Sequence, residues 1–304
     1  MDRKRIVFMG TPEYADKILK RLLREGDMEV AAVYTQPDKP VGRKRVMTPP
    51  PVKVTAEAAG IPVYQPRSLR EEGIAGEISG YAPDFIVVAA YGQILPRAVL
   101  DVAPCINLHA SLLPKYRGAS PIQEALLHGD KITGVTAMLM EEGLDSGPIL
   151  AWRVRQILPT MRKNELFDLL GDDAAALTPE VLRDFSSIRP LPQCDADATF
   201  CRKISRADGL VSFDMPAEAL YDRFRAYEGW PGIYLESGLK LIDLLPDTGE
   251  GEPGRILSID DEGVTVACRE GAVRILTVQP PSKKAMDAVS YIRGKRYKVA
   301  DLLL

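Results

Sequence analysis

The sequence predicts an α/β chain, with a doubly wound N-terminal domain followed by a smaller β domain, a barrel or a sandwich. The first observation is a strand, helix, strand run at the start, the entry to a doubly wound sheet. The second is DFIVVAA at 84–90, a continuous β-branched run of the kind that forms a central parallel strand covered on both faces. The third is a series of short strands beyond residue 216, set close together between Gly, Pro and Asp turns.

A length of 304 residues suits two domains of unequal size, and 46% hydrophobic residues suffice for a sizeable core. A net charge of -3 excludes a chain that coats nucleic acid or anionic membrane through bulk positive charge, though not a local basic patch. Cys105, Cys194, Cys201 and Cys268 have no CxxC spacing, so reduced thiols are expected, with neither a zinc site nor a disulfide framework. The basic start MDRKRIVFMG has too short an apolar run for a signal peptide, and no stretch approaches a membrane span. A cytoplasmic protein is expected.

In order, Arg5–Met9 reads as a buried strand, followed by a helix with Tyr14, Ile18, Leu19 and Leu22 on one face, and Glu29–Thr35 as a second strand. The first turn has one glycine where a dinucleotide fingerprint needs three, which disfavours nucleotide binding. Residues 36–53, QPDKPVGRKRVMTPPPVK, are expected to form a long irregular loop, because their prolines remove donors and exclude helix. Lys39, Arg43, Lys44, Arg45 and Lys53 face only Asp38 there, which favours a phosphate-bearing partner over a merely solvated loop. Helices are expected over 51–59 and within 69–80, with a short strand at 63–65.

Ligands of open α/β sheets sit beyond the carboxyl ends of the strands. At that end of 84–90 lie Tyr91, Gly92 and Ile94, which read either as a structural turn or as a ligand wall. In the next strand, CINLHA at 105–110, alternation puts Asn107 and His109 on one face. His109 is one of two histidines, and its pairing with Asn107 at a strand end favours catalysis over a structural role. The other, His128, ends a helix over 120–128, where its imidazole can meet exposed carbonyls. A strand over 134–140 leads into EEGLDSG, where Asp145 lies between glycines that let it point into the mouth of the sheet. A helical pattern over 164–185 is interrupted at Thr178-Pro179, and 187–198 reads as a polar, unpatterned linker. In the β domain, Lys283, Lys284, Arg293, Lys295, Arg296 and Lys298 form a late basic cluster.

Asn107, His109 and Asp145 together suit acyl transfer to an external amine. Imidazole exchanges protons near neutrality, a carboxylate favours its charged form, and an amide donor steadies an oxygen that gains negative charge.

The segments INLHASLLPKYRGASPIQ and EEGLDSG resemble the folate-dependent formyltransferases. So do MGTPEYA, QPDKPVGR, AAYGQILP, KISRADGLVSF, RAYEGWPG, VQPPSKKAM and YIRGKR, which together run nearly end to end and match the branch that acts on methionyl initiator tRNA. That resemblance implies a Rossmann-like domain over 1–189, a linker over 190–205 and an OB-like, tRNA-binding β barrel over 206–304. It implies 10-formyltetrahydrofolate as co-substrate with no metal, and a monomer is expected. Position by position, it assigns catalysis to Asn107, His109 and Asp145. It assigns folate contacts to Ser111, Leu112, Leu113 and Pro114, a pterin pocket to Tyr91, Gly92 and Ile94, and tRNA contacts to Arg43, Lys44 and Arg45. Nucleotide-sugar and ribonucleotide formyltransferases share the trio, as does a hydrolase that uses water as its nucleophile.

Overall fold

The computed structural model describes residues 3–42 and 44–303 and divides into two compact units. Unit 1 comprises residues up to 121 together with 132–157 and 165–201.

Its strand β1 (Lys4–Gly10) is apolar and buried from Ile6 onward, and feeds helix α1 (Glu13–Leu22). Tyr14, Ile18, Leu19 and Leu22 of α1 are buried, as their spacing predicts, while Glu13 and Asp16 occupy its first turn, where the helix dipole favours acid. Gly10 is required at the junction, since a Cβ there would lie 2.6 Å from that of Ala15. Then follow β2 (Met28–Tyr34), β3 (Lys39–Val41), β4 (Val46–Thr48), α2 (Pro51–Ala58), β5 (Val63–Tyr64), α3 (Ile74–Gly80) and β6 (Phe85–Ala89). After these come α4 (Arg97–Leu100), β7 (Cys105–His109), β8 (Arg117–Gly118), α5 (Pro121–Leu127), which beyond Pro121 belongs to the second unit, and then β9 (Ile132–Leu139), β10 (Ile149–Gln156), α6 (Lys163–Asp184) and β11 (Phe200–Cys201).

The main sheet has the order β10-β9-β7-β6-β1-β2-β5. Strands β5, β2, β1, β6 and β7 are parallel, whereas β9 and β10 run antiparallel to their neighbours. β6 is fully buried between β1 and β7, as its β-branched composition demands. Strand order reverses at β1, so the crevice beyond the carboxyl ends of β1, β6 and β7 is where a ligand of such a sheet sits.

Three local expectations fail. Residues 36–53 are not irregular: β3 and β4 pair as an antiparallel hairpin, and Pro51 starts α2. A two-stranded ribbon leaves one edge of each strand unpaired, so Pro40 costs no ladder bond there, and proline is at home in a first helical turn. Nor does Pro179 break α6. Leu177, Val181 and Leu182 bury the last turns, and the Thr178 hydroxyl donates to the Ala174 carbonyl at 2.7 Å. In the stretch expected as linker, Leu191 exchanges both backbone hydrogen bonds with Ile149, and β11 pairs in parallel with β8.

Unit 2 comprises 122–131, 158–164 and the residues from 202 onward. It contains α7 (Ala217–Ala226), β12 (Ile233–Tyr234), β13 (Lys240–Asp247), β14 (Ile256–Ile259), β15 (Val264–Ala267), β16 (Ala272–Gln279), β17 (Met286–Asp287) and α8 (Ala288–Lys295). The strands form one antiparallel sheet, β12-β13-β16-β15-β14, with β17 beside β16. Among the described residues no pairing joins β14 to β12, so the expected barrel is an open sheet by its hydrogen bonds. α7 packs on β13 and α8 on β16. Asp287 caps α8 by accepting from the Ser290 amide at 2.7 Å, which holds its carboxyl below the ordinary range. Lys283, Lys284, Arg293, Lys295, Arg296 and Lys298 are all exposed on or beside this helix.

Among the described residues no helix is long and apolar enough to cross a membrane.

Candidate active site

β7 is held between β6 and β9, with Asn107 opposite Val88 and Met138, and His109 opposite Thr136. The Tyr14 hydroxyl donates to the Leu108 carbonyl at 3.1 Å and braces the strand from α1. Burial and the Asp173 carboxylate push that phenol's pKa far upward, so it stays a donor. Asn107 and His109 therefore share one face at the carboxyl end of a rigid strand, the imidazole 6% exposed.

After β7 the chain makes a tight loop. The Thr136 hydroxyl donates to the Ser111 carbonyl at 2.6 Å and accepts from the Leu113 amide at 3.0 Å. The Ser111 hydroxyl donates to the Lys115 carbonyl at 2.6 Å. Ser111 and Leu113 are buried, Leu113 against Met138 and Ile149, while Leu112 and Pro114 stay partly accessible. This loop returns Tyr116 to the ring: its carbonyl oxygen lies 2.9 Å from His109 Nε2. A carbonyl only accepts, so Nε2 carries the hydrogen and neutral His109 presents an unprotonated Nδ1.

Asp145 faces that nitrogen, with Oδ2 3.7 Å from Nδ1. Its carboxylate accepts from Asn107 Nδ2 at 3.3 Å and from the Gly118 amide at 2.9 Å. The residue sits at φ +48°, a left-handed conformation that costs about 1–3 kcal/mol and needs outside support. Gln193 supplies it: its side-chain amide donates to the carbonyls of Asp145 (2.9 Å) and Gly147 (2.7 Å), and its own oxygen accepts from Arg117 Nε at 3.0 Å. The three expected residues are thus brought together. Sequence reasoning has Asp145 orient the imidazole; in the structure the Tyr116 carbonyl fixes the tautomer, and Asp145 stands where it favours a proton arriving at Nδ1.

Tyr116, Gly118 and Gln193 escape sequence reasoning. Two act through backbone atoms, which carry no residue-type signal, and Gln193 lies in the segment read as linker. Only Gly118, at φ +126°, leaves a trace: a Cβ there would lie 2.1 Å from the Cys201 carbonyl oxygen.

The Tyr91 ring, expected in a pterin pocket, is 2% exposed and packs among Val7, Met9, Val88 and Leu95, its hydroxyl pKa pushed up by burial. Its carbonyl is held by Thr11 Oγ1 at 3.1 Å and Gln36 Nε2 at 3.2 Å. What this turn offers a ligand is the backbone at Gly92, at φ +83°, and the Ile94 side chain, 72% exposed. A cavity of about 450 Å³ lies between Arg97, Leu100 and Asp101 on one side and Met140, Glu141, Glu142 and Gly143 on the other, on the loop that carries Asp145. Arg43 lies outside the described residues. Lys44 and Arg45 are exposed at the tip of the β3–β4 hairpin, beside exposed Val41, Val46 and Met47, and take no part in the group around His109.

Residues 4–182 match the formyl transferase family, and 203–296 match its C-terminal domain. A protein named methionyl-tRNA formyltransferase from Nitratiruptor sp. is 56% identical over 301 residues, covering 98% of this chain and 99% of the relative. One of the same name from Wolinella succinogenes is 56% identical over 303 residues, with the same coverage. Among solved structures, an N-formyltransferase from Helicobacter canadensis, in complex with folinic acid and dTDP-3-aminofucose, superposes with a TM-score of 0.65 at 15% identity. The match covers 90% of this chain and 99% of that one. HypX from Aquifex aeolicus in complex with tetrahydrofolic acid superposes with a TM-score of 0.63 at 20% identity, over 96% of this chain and 47% of that one. With an Asn, His and Asp group suited to acyl transfer at the mouth of its sheet and near-full-length relatives of that name, the chain belongs to the formyl transferase family.

Proposed function

We propose that the protein transfers the formyl group of 10-formyltetrahydrofolate to the free amino group of methionyl initiator tRNA, with Asn107, His109 and Asp145 as its catalytic residues. The observation that carries the chemistry is His109, with Nε2 bonded to a carbonyl and Nδ1 left open opposite Asp145. The folate supplies the activated formyl group; the protein supplies orientation and a place for one proton. His109 takes that proton at Nδ1 from the attacking amine, and Asp145 stabilises the imidazolium. Asn107 has two N–H bonds, one directed to Asp145; the other is available to the formyl oxygen as it gains negative charge. Once the amine has added, the same imidazolium returns the proton to the departing folate nitrogen.

In this reading the loop 111–114 and the turn at Gly92 and Ile94 receive the folate, mainly through backbone atoms, because Ser111, Leu113 and the Tyr91 ring are buried. The open backbone at Gly92, the exposed Ile94 and the cavity beside Met140 fit a flat, hydrogen-bonding heterocycle. Lys44 and Arg45, with Arg43, meet tRNA phosphate, and the region 206–304 provides further tRNA contacts through its basic helix. The protein acts as a cytoplasmic monomer.

The test is purified protein with labelled formyl donor and, separately, charged initiator tRNA, a nucleotide sugar, or buffer. Label should appear in the tRNA alone. Formylation of the sugar, or loss of donor without an acceptor, would overturn the assignment.

A further inference from the structure

Residues 199–201 lie within the 190–205 stretch expected to be a linker, yet they hold the loop that carries Tyr116. The Tyr116 amide donates to Thr199 Oγ1 at 2.8 Å, and the Arg117 amide donates to the Thr199 carbonyl at 2.8 Å. The Cys201 thiol donates to the Tyr116 carbonyl at 3.4 Å, and its sulfur accepts from the Ser120 amide at 3.3 Å. The Ala119 amide donates to the Cys201 carbonyl at 3.2 Å. Tyr116 is a non-glycine residue at φ +61°, a conformation that persists only where its surroundings over-determine it. Tyr116 and Cys201 are 7% and 6% exposed, so the bond between them is shielded from bulk water, whereas Thr199 reaches Tyr116 from the exposed side.

We propose that Thr199 and Cys201 are positioning residues for formyl transfer: they clamp Tyr116 in its left-handed conformation so that its carbonyl holds His109 in the Nε2–H tautomer. The inference rests on His109 being the proton acceptor. One oxygen, that of Tyr116, receives both the imidazole N–H and the Cys201 thiol, and it has two lone pairs to do so. Neither Thr199 nor Cys201 touches Nδ1, Asp145 or Asn107 through any of these bonds. Their bonds to Tyr116 reach the reaction through the ring. If Tyr116 relaxes, its carbonyl swings off Nε2, and the imidazole can turn or carry its hydrogen on Nδ1, where it has no lone pair to offer the amine. A purely structural clip would leave the ring's tautomer unchanged.

The chain's two histidines make the tautomer directly readable. His128 is 60% exposed at the end of its helix, so H128Q leaves His109 as the sole imidazole signal. On the full chain, at a pH where the ring is neutral, 15N spectra of imidazole-labelled protein should show hydrogen on Nε2. Thr199→Val and Cys201→Ala should turn this into a mixture of tautomers. Both should lower kcat, T199V by about 10- to 100-fold, a part of the roughly 10²–10⁴-fold that a positioned general base contributes, with KM for donor and tRNA within about threefold. Thr199→Ser, which keeps the acceptor oxygen, should restore both tautomer and kcat. Should T199V fail to fold, C201A carries the same readout. Parent-like tautomer and kcat in C201A and T199V, or a loss of kcat that T199S does not restore, would overturn the proposal. Normal turnover by His109→Gln would overturn the catalytic assignment beneath it instead.

Discussion

His109 Nε2 lies 2.9 Å from the Tyr116 carbonyl oxygen, and that one contact decides which ring nitrogen can take a proton. It leaves Nδ1 facing Asp145 Oδ2 at 3.7 Å, too long for a hydrogen bond in the resting site but close enough to favour a proton once it arrives. Asp145→Asn should therefore act on the charged state of the ring and little on substrate binding. A neutral amide opposite Nδ1 gives the imidazolium no compensating charge. We expect kcat to fall by about 10²–10⁴-fold with KM for the formyl donor changed by about threefold or less. Steady-state kinetics at saturating charged tRNA check this; a rise in KM with kcat intact would move Asp145 from proton transfer to binding.

Gly118 joins the site to its clip. Its amide donates to Asp145 Oδ2 at 2.9 Å, while a Cβ on it would lie 2.1 Å from the Cys201 carbonyl oxygen. At φ +126° an L side chain is strained in any case. Gly118→Ala should separate β8 from β11, costing about 2–4 kcal/mol of stability together with most of the activity. Urea denaturation and turnover measure the two losses, and a variant with the parent's midpoint would contradict the close approach.

A third expectation concerns alkaline pH. Cys105 begins β7, the strand that carries Asn107 and His109, and is 2% exposed, and burial raises its thiol from the ordinary 9.0 to about 12. Below pH 9 the thiol is protonated in folded and unfolded chains alike, so its contribution to stability is fully present. Between 9 and about 12 the unfolded chain releases a proton that the folded chain retains, so stability falls as pH rises. Cys105→Ala should be less stable at pH 8 through the lost volume, yet show a shallower decline from pH 8 to 10.5. Urea midpoints across that range compare the slopes; equal slopes would mean that Cys105 does not titrate in this window.

Legibility in the sequence follows periodicity. The apolar run 84–90 and the stripe Tyr14, Ile18, Leu19 and Leu22 are written in residue type, and so is the alternation that places Asn107 and His109 on one face. The hairpin at 39–48 is hidden because proline is read as a breaker, although a two-stranded ribbon leaves edges where it costs nothing. Residues 191–201 have no period at all. What orders them is a few side chains, Gln193, Thr199 and Cys201, bonded to backbone atoms dozens of residues away, and such bonds leave no local pattern. Tyr91 misleads in the other direction. Its place at a strand end suggests a ligand wall, but the neighbouring core has room for a ring, and only Gly92 and Ile94 remain outside.

The exposed tip of the hairpin carries the expectation about tRNA. Lys44 and Arg45 are solvent-exposed, with Arg45 at φ +49°, and exposed Val41, Val46 and Met47 flank them. Among the described residues neither makes an ion pair, and the loop's one acid, Asp38, is bonded to Lys53 and Gln65. A basic tip with apolar flanks suits a nucleic-acid end, with charge for phosphate and apolar surface for sugar or base. Lys44→Ala and Arg45→Ala should raise KM for charged tRNA and leave KM for the formyl donor unchanged, because the surfaces proposed for the folate lie on other loops. Each lost phosphate contact should also make the dependence of log KM on log salt shallower by about 0.7–0.9. Turnover measured from low to moderate salt reads both effects. A donor KM that rises in step, or a salt slope equal to the parent's, would show that the hairpin serves the folate side of the reaction or does not meet phosphate.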